Sequence, residues 1–121
     1  MSHMITLYGI PNCDTVKKSR AWFEAQGLAV VFHDFKKQGV PEPALPHWVE
    51  HLGWETVLNR KGTTWHKLDE ATRLAVVDAA SAMTLMRKQP SCIKRPVVDW
   101  DGELTIGFVP EVWAEVRGRH P

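Results

Sequence analysis

The opening of the chain constrains the fold most, because it alternates strand and helix patterns over a short distance. "MITLYG" is a run of β-branched and aromatic residues ended by glycine, which predicts a strand at Ile5–Tyr8. "CDTVKKSRAWFEAQG" has the spacing of an amphipathic helix that stops at Gly27, and "LAVVFHDF" predicts a second strand at Ala29–Asp34. A strand, a helix and a strand within about 30 residues form a βαβ unit, so the two strands should be parallel with a right-handed crossover.

The middle of the chain is mostly helical, and its end returns to strands. "PEPALPHWVEHLG" predicts a helix with Pro46 in its first turn, whereas "LNRKGTTWHKL" loses the periodicity and predicts a polar loop. "DEATRLAVVDAASAMTLMRKQP" predicts a helix in two pieces that divide near Asp78–Ser81. "PVVDWDGELTIGF" places two β runs around Asp101-Gly102, a hairpin signal, and Pro110 begins a short last helix. This order predicts an α/β fold, a mixed sheet flanked by helices with a helical insert in the middle.

Length and composition limit the class of protein. The 121 residues suit one domain, which we expect at residues 4–117, between an expression-tag remnant at 1–3 and a tail at 118–121. The net charge of +1 favours neither nucleic acid nor a membrane as a partner, and no apolar run is long enough to span a bilayer. Two cysteines without a secretory signal predict reduced thiols in the cytoplasm.

Cys13 lies between the first predicted strand and the first predicted helix, where a thiol can be activated. The thiolate is the nucleophile, and a free cysteine with a pKa of about 8.5 is mostly protonated at neutral pH. Unpaired N–H groups at a helix N-terminus stabilise an anion, Asn12 and Thr15 are polar neighbours, and Lys17 adds positive charge, whereas Asp14 opposes ionisation. The alternative is a buried turn residue, because cysteine is among the most buried residue types. The local sequence leaves both readings open.

Two arginines and two histidines are further candidates for a site. Arg60 in "LNRKGTTW" and Arg95 in "SCIKRPVV" carry the planar group that matches oxyanions and carboxylates, although each alone also fits a solvated surface. Pro96 begins a predicted strand and can form a cis bond that exposes the preceding backbone. His47 and His51 lie four apart on a helix, but no further ligand stands at suitable spacing, so we predict a solvated face and no metal site.

Three motifs in order, "CDTVKKS", "NRKGTTWHKL" and "IKRPVV", resemble the arsenate-reductase-like (ArsC) branch of the thioredoxin fold. Within that branch the chain is most similar to YffB proteins, and Spx is a more distant relative. The resemblance spans residues 4–117 and implies a thioredoxin-like fold with a mixed four-stranded sheet. It also implies a nucleophilic Cys13 that Arg60 and Arg95 face. Arsenate reductases of this type have a third arginine before the proline of the last helix, and here Val109 stands there.

The first function that the resemblance implies is that of a glutathione-dependent thiol/disulfide oxidoreductase with a single nucleophilic cysteine. Cys13 would take up glutathione as a mixed disulfide, and a second glutathione would resolve it. Lys94, Arg95 and the backbone beside Pro96 would hold glutathione. No bound cofactor is expected. The expected partners are glutathione, a small-molecule or protein disulfide and glutaredoxin, and we expect a monomer. Cys92 is expected to be a buried structural thiol, with a resolving thiol as the alternative.

Two other functions remain open at this point. One is an arsenate reductase linked to glutathione and glutaredoxin, against which Val109 argues because the third arginine is missing. The other is a non-enzymatic regulator that resembles Spx and binds RNA polymerase. The redox switch of such a regulator needs a second cysteine three residues after the first, and Val16 occupies that position.

Overall fold

The computed structural model describes residues 4–119, which form two compact units. The sheet unit comprises Met1–Phe35 with Arg95–Pro121, of which residues 4–35 and 95–119 are described. The helical unit, Lys36–Lys94, coincides with the predicted helical insert. The predicted tag remnant at 1–3 lies outside the described residues, as do residues 120 and 121. The single domain at 4–117 stays a prediction.

The sheet unit contains a mixed four-stranded sheet, which confirms the predicted α/β architecture. The strands are β1 Thr6–Gly9, β2 Val31–Asp34, β3 Val97–Asp99 and β4 Leu104–Ile106. Their order in the sheet is β2-β1-β3-β4, with β1 parallel to β2 and the remaining neighbours antiparallel. The predicted hairpin forms the β3–β4 pair, where Asp101 and Gly102 both adopt positive φ.

Two helices of the sheet unit pack on this sheet, α1 at Asp14–Ala25 and α8 at Pro110–Arg119. The last helix includes residues 118 and 119, so the tail predicted at 118–121 is wrong for these two residues. No helix among the described residues is long and apolar enough to cross a membrane. The helices are α1 Asp14–Ala25, α2 Phe35–Gln38, α3 Ala44–Leu52, α4 Trp54–Val57, α5 Thr63–Lys67, α6 Glu70–Leu74, α7 Ala79–Lys88 and α8 Pro110–Arg119, with a 3₁₀ turn at Pro90–Cys92.

The sequence predicted the break between α6 and α7 correctly and missed three short helices, α2, α4 and α5. The break between α6 and α7 is confirmed, because Asp78 caps α7: its carboxylate accepts the Ser81 N–H at 2.9 Å and the Ser81 hydroxyl accepts the Asp78 N–H at 3.1 Å. The polar loop predicted for "LNRKGTTWHKL" is wrong over α5. That helix has only five residues and buries none of them, so it carries no apolar periodicity that a sequence reading could detect.

Aromatic packing fixes α1 and α8 on one face of the sheet. The ring centroid of Phe23 on α1 lies 5.2 Å from that of Trp100 and 5.2 Å from that of Trp113 on α8. All three side chains are buried, together with Leu7 of β1 and Val98 of β3. Because α1 is held against β1 in this way, its N-terminus lies just beyond the end of that strand.

The close approach of α1 to β1 predicts a measurable stability effect at Gly9. A Cβ atom at this position would lie 2.8 Å from Cγ2 of Val16, which is fully buried and cannot move aside. We therefore expect Gly9→Ala to lower the free energy of unfolding by about 1–3 kcal/mol. Urea denaturation followed by tryptophan fluorescence measures this change.

Gly118 provides the matched control for this substitution. It lies near the end of α8, and a Cβ atom there would meet no atom within 4 Å. Alanine is the better helix former, so Gly118→Ala should leave stability unchanged or raise it by about 0.5 kcal/mol. An equal response of the two variants would contradict the steric argument.

Candidate active site

Cys13 is the N-cap residue of α1, and it lies between β1 and α1, as the sequence predicted. Its backbone is extended, with φ −144° and ψ 122°, and its carbonyl accepts the Lys17 N–H at 2.9 Å as the first hydrogen bond of the helix. The residue is half-buried and its thiol is free. The sulfur therefore lies beside first-turn N–H groups that have no partner within the helix.

Several contacts decide the ionisation of this thiol. Burial by itself raises the pKa of Cys13, but the backbone N–H of Val16 in the first turn of α1 acts in the opposite direction and lowers it. The side chain of Arg95 adds a hydrogen bond and its positive charge, and the N–H of Thr15 contributes further. Together these contacts hold the pKa of Cys13 below its ordinary value. The thiolate fraction at neutral pH is therefore larger than that of a free cysteine.

Sheet register explains why Arg95 reaches Cys13. In the antiparallel pair of β1 and β3, Tyr8 stands opposite Val97, so continuing the pairing places Arg95 beyond the end of β1, where α1 begins. The Arg95–Pro96 peptide bond is cis. The Pro96 carbonyl accepts the Gly107 N–H at 2.9 Å, so that oxygen is already used within the unit.

The predicted residues around Cys13 differ in their exposure and in how they act on the thiol. Asn12 and Lys17 are exposed next to the thiol in sequence. Thr15, predicted as a polar neighbour of the thiol, lowers the pKa of Cys13 through its backbone N–H, and its carbonyl accepts the Ser19 hydroxyl at 2.6 Å. The N–H of Val16 is one of the unpaired first-turn N–H groups that the sequence predicted at this helix N-terminus, although Val16 itself was not singled out.

Arg60 and Lys94 lie in the helical unit. The Arg60 guanidinium has Nη2 3.4 Å from Oε2 of Glu55 and its central carbon 5.5 Å from the ring centroid of Trp54. Lys94 is exposed, and its backbone N–H donates to the Val57 carbonyl at 2.8 Å. The sheet unit thus brings together Cys13 and Arg95, whereas the orientation of Arg60 toward the thiol stays a prediction.

The Cys92 thiol is buried, whereas the two histidines that lie next to each other on α3 are exposed. Cys92 is 1% exposed in the 3₁₀ turn, which confirms the predicted burial of its thiol. His47 and His51 are exposed on α3 with ring centroids 4.2 Å apart. Between residues 4 and 119, no cluster of three or more histidine, cysteine, aspartate or glutamate side chains is arranged to hold a metal ion.

Comparison with known proteins extends over nearly the whole chain. The sequence model of the ArsC family matches residues 8–116. A solved YffB protein is 47% identical, with a TM-score of 0.88 over 93% of this chain and 97% of its own. A solved arsenate reductase (ArsC) related protein from Brucella melitensis is 48% identical, with a TM-score of 0.75 over 95% of each chain. The global transcriptional regulator Spx of Streptococcus mutans is 25% identical over 108 residues, 87% of this chain and 77% of Spx.

Proposed function

Because the chain belongs to the ArsC family, as its three motifs predict, we propose that it is a glutathione-dependent thiol/disulfide oxidoreductase. Its fold is that of the arsenate-reductase-like proteins. The observation that carries the proposal is the environment of Cys13: its half-buried thiol stands at the N-cap of α1, and the Val16 N–H and the Arg95 side chain both lower its pKa. A nucleophilic thiol at a helix N-terminus beside a guanidinium is suited to attack on a disulfide.

The proposed reaction consists of two thiol–disulfide exchanges. In the first, the Cys13 thiolate attacks the glutathione sulfur of a mixed disulfide, forms a Cys13–glutathione disulfide and releases the other thiol as its thiolate. In the second, a glutathione thiolate attacks the glutathione sulfur of that adduct, which releases oxidised glutathione and regenerates the Cys13 thiolate. The substrate disulfide is reduced and two glutathione units leave as one disulfide, so one protein cysteine is sufficient.

In this proposal the other predicted residues stabilise the thiolate or bind the substrate. Arg95 stabilises the thiolate and pairs with a glutathione carboxylate. Asn12, Thr15 and Lys17 surround the start of α1, where an anionic substrate is favoured by the helix N-terminus. Reduced thiols and glutathione are compatible with the proposed cytoplasmic location. Glutaredoxin is a further proposed partner.

Arsenate reduction is the second candidate, and one position argues against it. Val109 stands where arsenate reductases of this type have an arginine, and it is 39% exposed. An apolar side chain there leaves less positive charge to stabilise an arsenate oxyanion. Arsenite production coupled to glutathione would favour this candidate over disulfide reduction.

A regulator resembling Spx is the third candidate. Val16 occupies the position of the second cysteine in such a switch, and it is fully buried against the backbone of Gly9. The position therefore serves the packing of α1 against β1. Recovery of RNA polymerase with this chain would favour regulation in spite of Val16.

Trapping the proposed intermediate tests the reaction directly. When the full chain is treated with oxidised glutathione, we expect one added glutathionyl group, which maps to Cys13 and is removed by reduced glutathione. Intact-mass spectrometry followed by peptide mapping measures this. A loss of two hydrogens without added glutathione would instead show an internal disulfide with Cys92 and would overturn the single-cysteine reaction.

A further inference from the structure

A buried serine in α1 is hydrogen-bonded to the first turn of the helix that Cys13 caps. Ser19 is fully buried, and its hydroxyl donates to the Thr15 carbonyl at 2.6 Å. This distance lies near the short end of the range for O–H···O hydrogen bonds. Among residues 4–119, Asp34 is the only other polar or charged residue that is buried. The Ser19 hydroxyl is therefore an unusual group in this core, and its one printed contact leads toward the thiol.

The carbonyl that accepts this hydroxyl belongs to the same peptide group as an N–H that acts on Cys13. The planar peptide between Thr15 and Val16 carries the carbonyl oxygen of the first residue and the N–H of the second. The Val16 N–H lies in the first turn of α1, has no partner within the helix and lowers the pKa of Cys13. One peptide group thus connects the Ser19 hydroxyl with the thiol.

The hydroxyl is an additional donor on a carbonyl that the helix already uses. In an α-helix the Thr15 carbonyl accepts the Ser19 N–H, and its oxygen has a second lone pair for the hydroxyl. A donor at a carbonyl oxygen polarises the whole amide, and in a protein interior such chains strengthen each hydrogen bond by about 10–30%. The Val16 N–H is therefore a stronger donor toward an anion than the N–H of an ordinary first turn.

Helix formation and packing do not account for a serine at this position. Alanine is the better helix former, and a buried hydroxyl is costly unless it is hydrogen-bonded. If alanine replaced Ser19, the Thr15 carbonyl would keep its backbone donor, so no buried acceptor would lose its last partner. The contribution that alanine would remove is the polarisation of the peptide between Thr15 and Val16.

The other surroundings of the thiol define the background for this effect. Arg95, which precedes β3, supplies the positive charge that acts on Cys13. The thiol also packs against the apolar core that α1 and α8 form on the sheet. On α1 itself the nearest charged residues, Asp14 and Lys17, are exposed to solvent, which screens them. A polarised N–H in partly buried surroundings is screened less.

We propose that Ser19 is a positioning residue for the reactive thiol: its hydroxyl holds and polarises the peptide between Thr15 and Val16, so that the N–H of this peptide stabilises the Cys13 thiolate more strongly. The inference rests on the proposed function in so far as that thiolate is the nucleophile. It adds a buried hydroxyl further along α1 to the groups that ionise the thiol.

Ser19→Ala tests the inference through the acidity of the thiol. From a strengthening of about 10–30% in one charge-assisted hydrogen bond, we expect the acid dissociation constant of Cys13 to fall about twofold. The measurement is the pH dependence of iodoacetamide alkylation, read by peptide mass spectrometry so that Cys92 does not contribute. The NMR signal of the Val16 amide proton should also move upfield. Ser19→Thr retains a hydroxyl that can bond the same carbonyl, and it should keep the parent dissociation constant.

Thr84→Ala is the matched control for the loss of such a hydroxyl. The Thr84 hydroxyl donates to the Ala80 carbonyl at 3.0 Å, which is the same type of bond in α7 of the helical unit. The peptide that it polarises lies in α7 and does not belong to the first turn of α1. Thr84→Ala should therefore leave both the dissociation constant of Cys13 and the Val16 amide signal unchanged.

Three results would overturn the inference. These are an unchanged dissociation constant in Ser19→Ala, an equal change in Thr84→Ala, and failure of Ser19→Ala to fold, which would give the hydroxyl a structural task instead. Turnover distinguishes this failure from failure of the proposed function. If the chain reduces glutathione mixed disulfides but Ser19→Ala leaves the dissociation constant unchanged, the inference is wrong and the function stands. If the constant falls as expected but no turnover occurs, the inference stands and the function is wrong.

Discussion

Replacement of Cys13 by serine is expected to reduce glutathione-linked disulfide reduction at least about a thousandfold. A serine hydroxyl is not ionised at neutral pH, and its oxygen cannot form the mixed disulfide on which the two exchanges depend. The measurement is oxidised glutathione formation from the mixed disulfide of glutathione and 2-hydroxyethanethiol, followed through glutathione reductase. The Cys13→Ser chain should also acquire no glutathionyl group.

Cys92→Ala is the matched control for the loss of a thiol. The Cys92 side chain is 1% exposed, so its removal affects packing, and the melting temperature of this variant should fall moderately. Its turnover at a temperature where it stays folded should equal that of the parent chain. Full turnover in Cys13→Ser, or loss of turnover in Cys92→Ala alone, would show that Cys13 is not the nucleophile and would contradict the proposal.

Arg95→Gln is expected to lower turnover with glutathione about thirtyfold at pH 7, the second largest effect. The arginine both hydrogen-bonds to the Cys13 sulfur and supplies positive charge. Without it the pKa of Cys13 rises, and at any pH below that pKa a smaller fraction of the thiol is ionised. Alkylation by iodoacetamide, which is uncharged, should therefore slow about fivefold at pH 7.

The pH dependence separates loss of ionisation from loss of structure. In Arg95→Gln the alkylation curve should move to higher pH and reach at least the parent rate at alkaline pH, because a thiolate of higher pKa is the stronger nucleophile. Arg20→Gln is the control, since it removes an equal charge from the same unit, where Arg20 lies over the Phe32 ring at 4.4 Å. Equal apparent pKa values in the two variants would show that Arg95 does not stabilise the thiolate.

If both predictions hold, the sheet unit contains the reactive thiol and the side chain that ionises it. In the "IKRP" motif, Lys94 ends the helical unit and Arg95 begins the second part of the sheet unit. The cation that acts on the thiol in this proposal is therefore the one that belongs to the same unit as Cys13.

Much of the fold could be predicted because its signals are local. The βαβ opening, the hairpin at Asp101-Gly102 and the cap at Asp78 all depend on residues within a few positions of one another. The family, and with it the thioredoxin-like sheet, followed from the order of three motifs. The single-turn helices α2 and α4 and the five-residue α5 escaped prediction, since helices this short present too little periodicity.

The sequence by itself determined that Cys13 lies between a strand and the start of a helix, because strand endings and helix starts depend on local backbone preferences. Only the tertiary structure decided which charged groups share a site. The pairing of β1 with β3 carries Arg95 to the Cys13 thiol. Contacts of this kind depend on the register between segments far apart in the chain, which no short stretch of sequence contains.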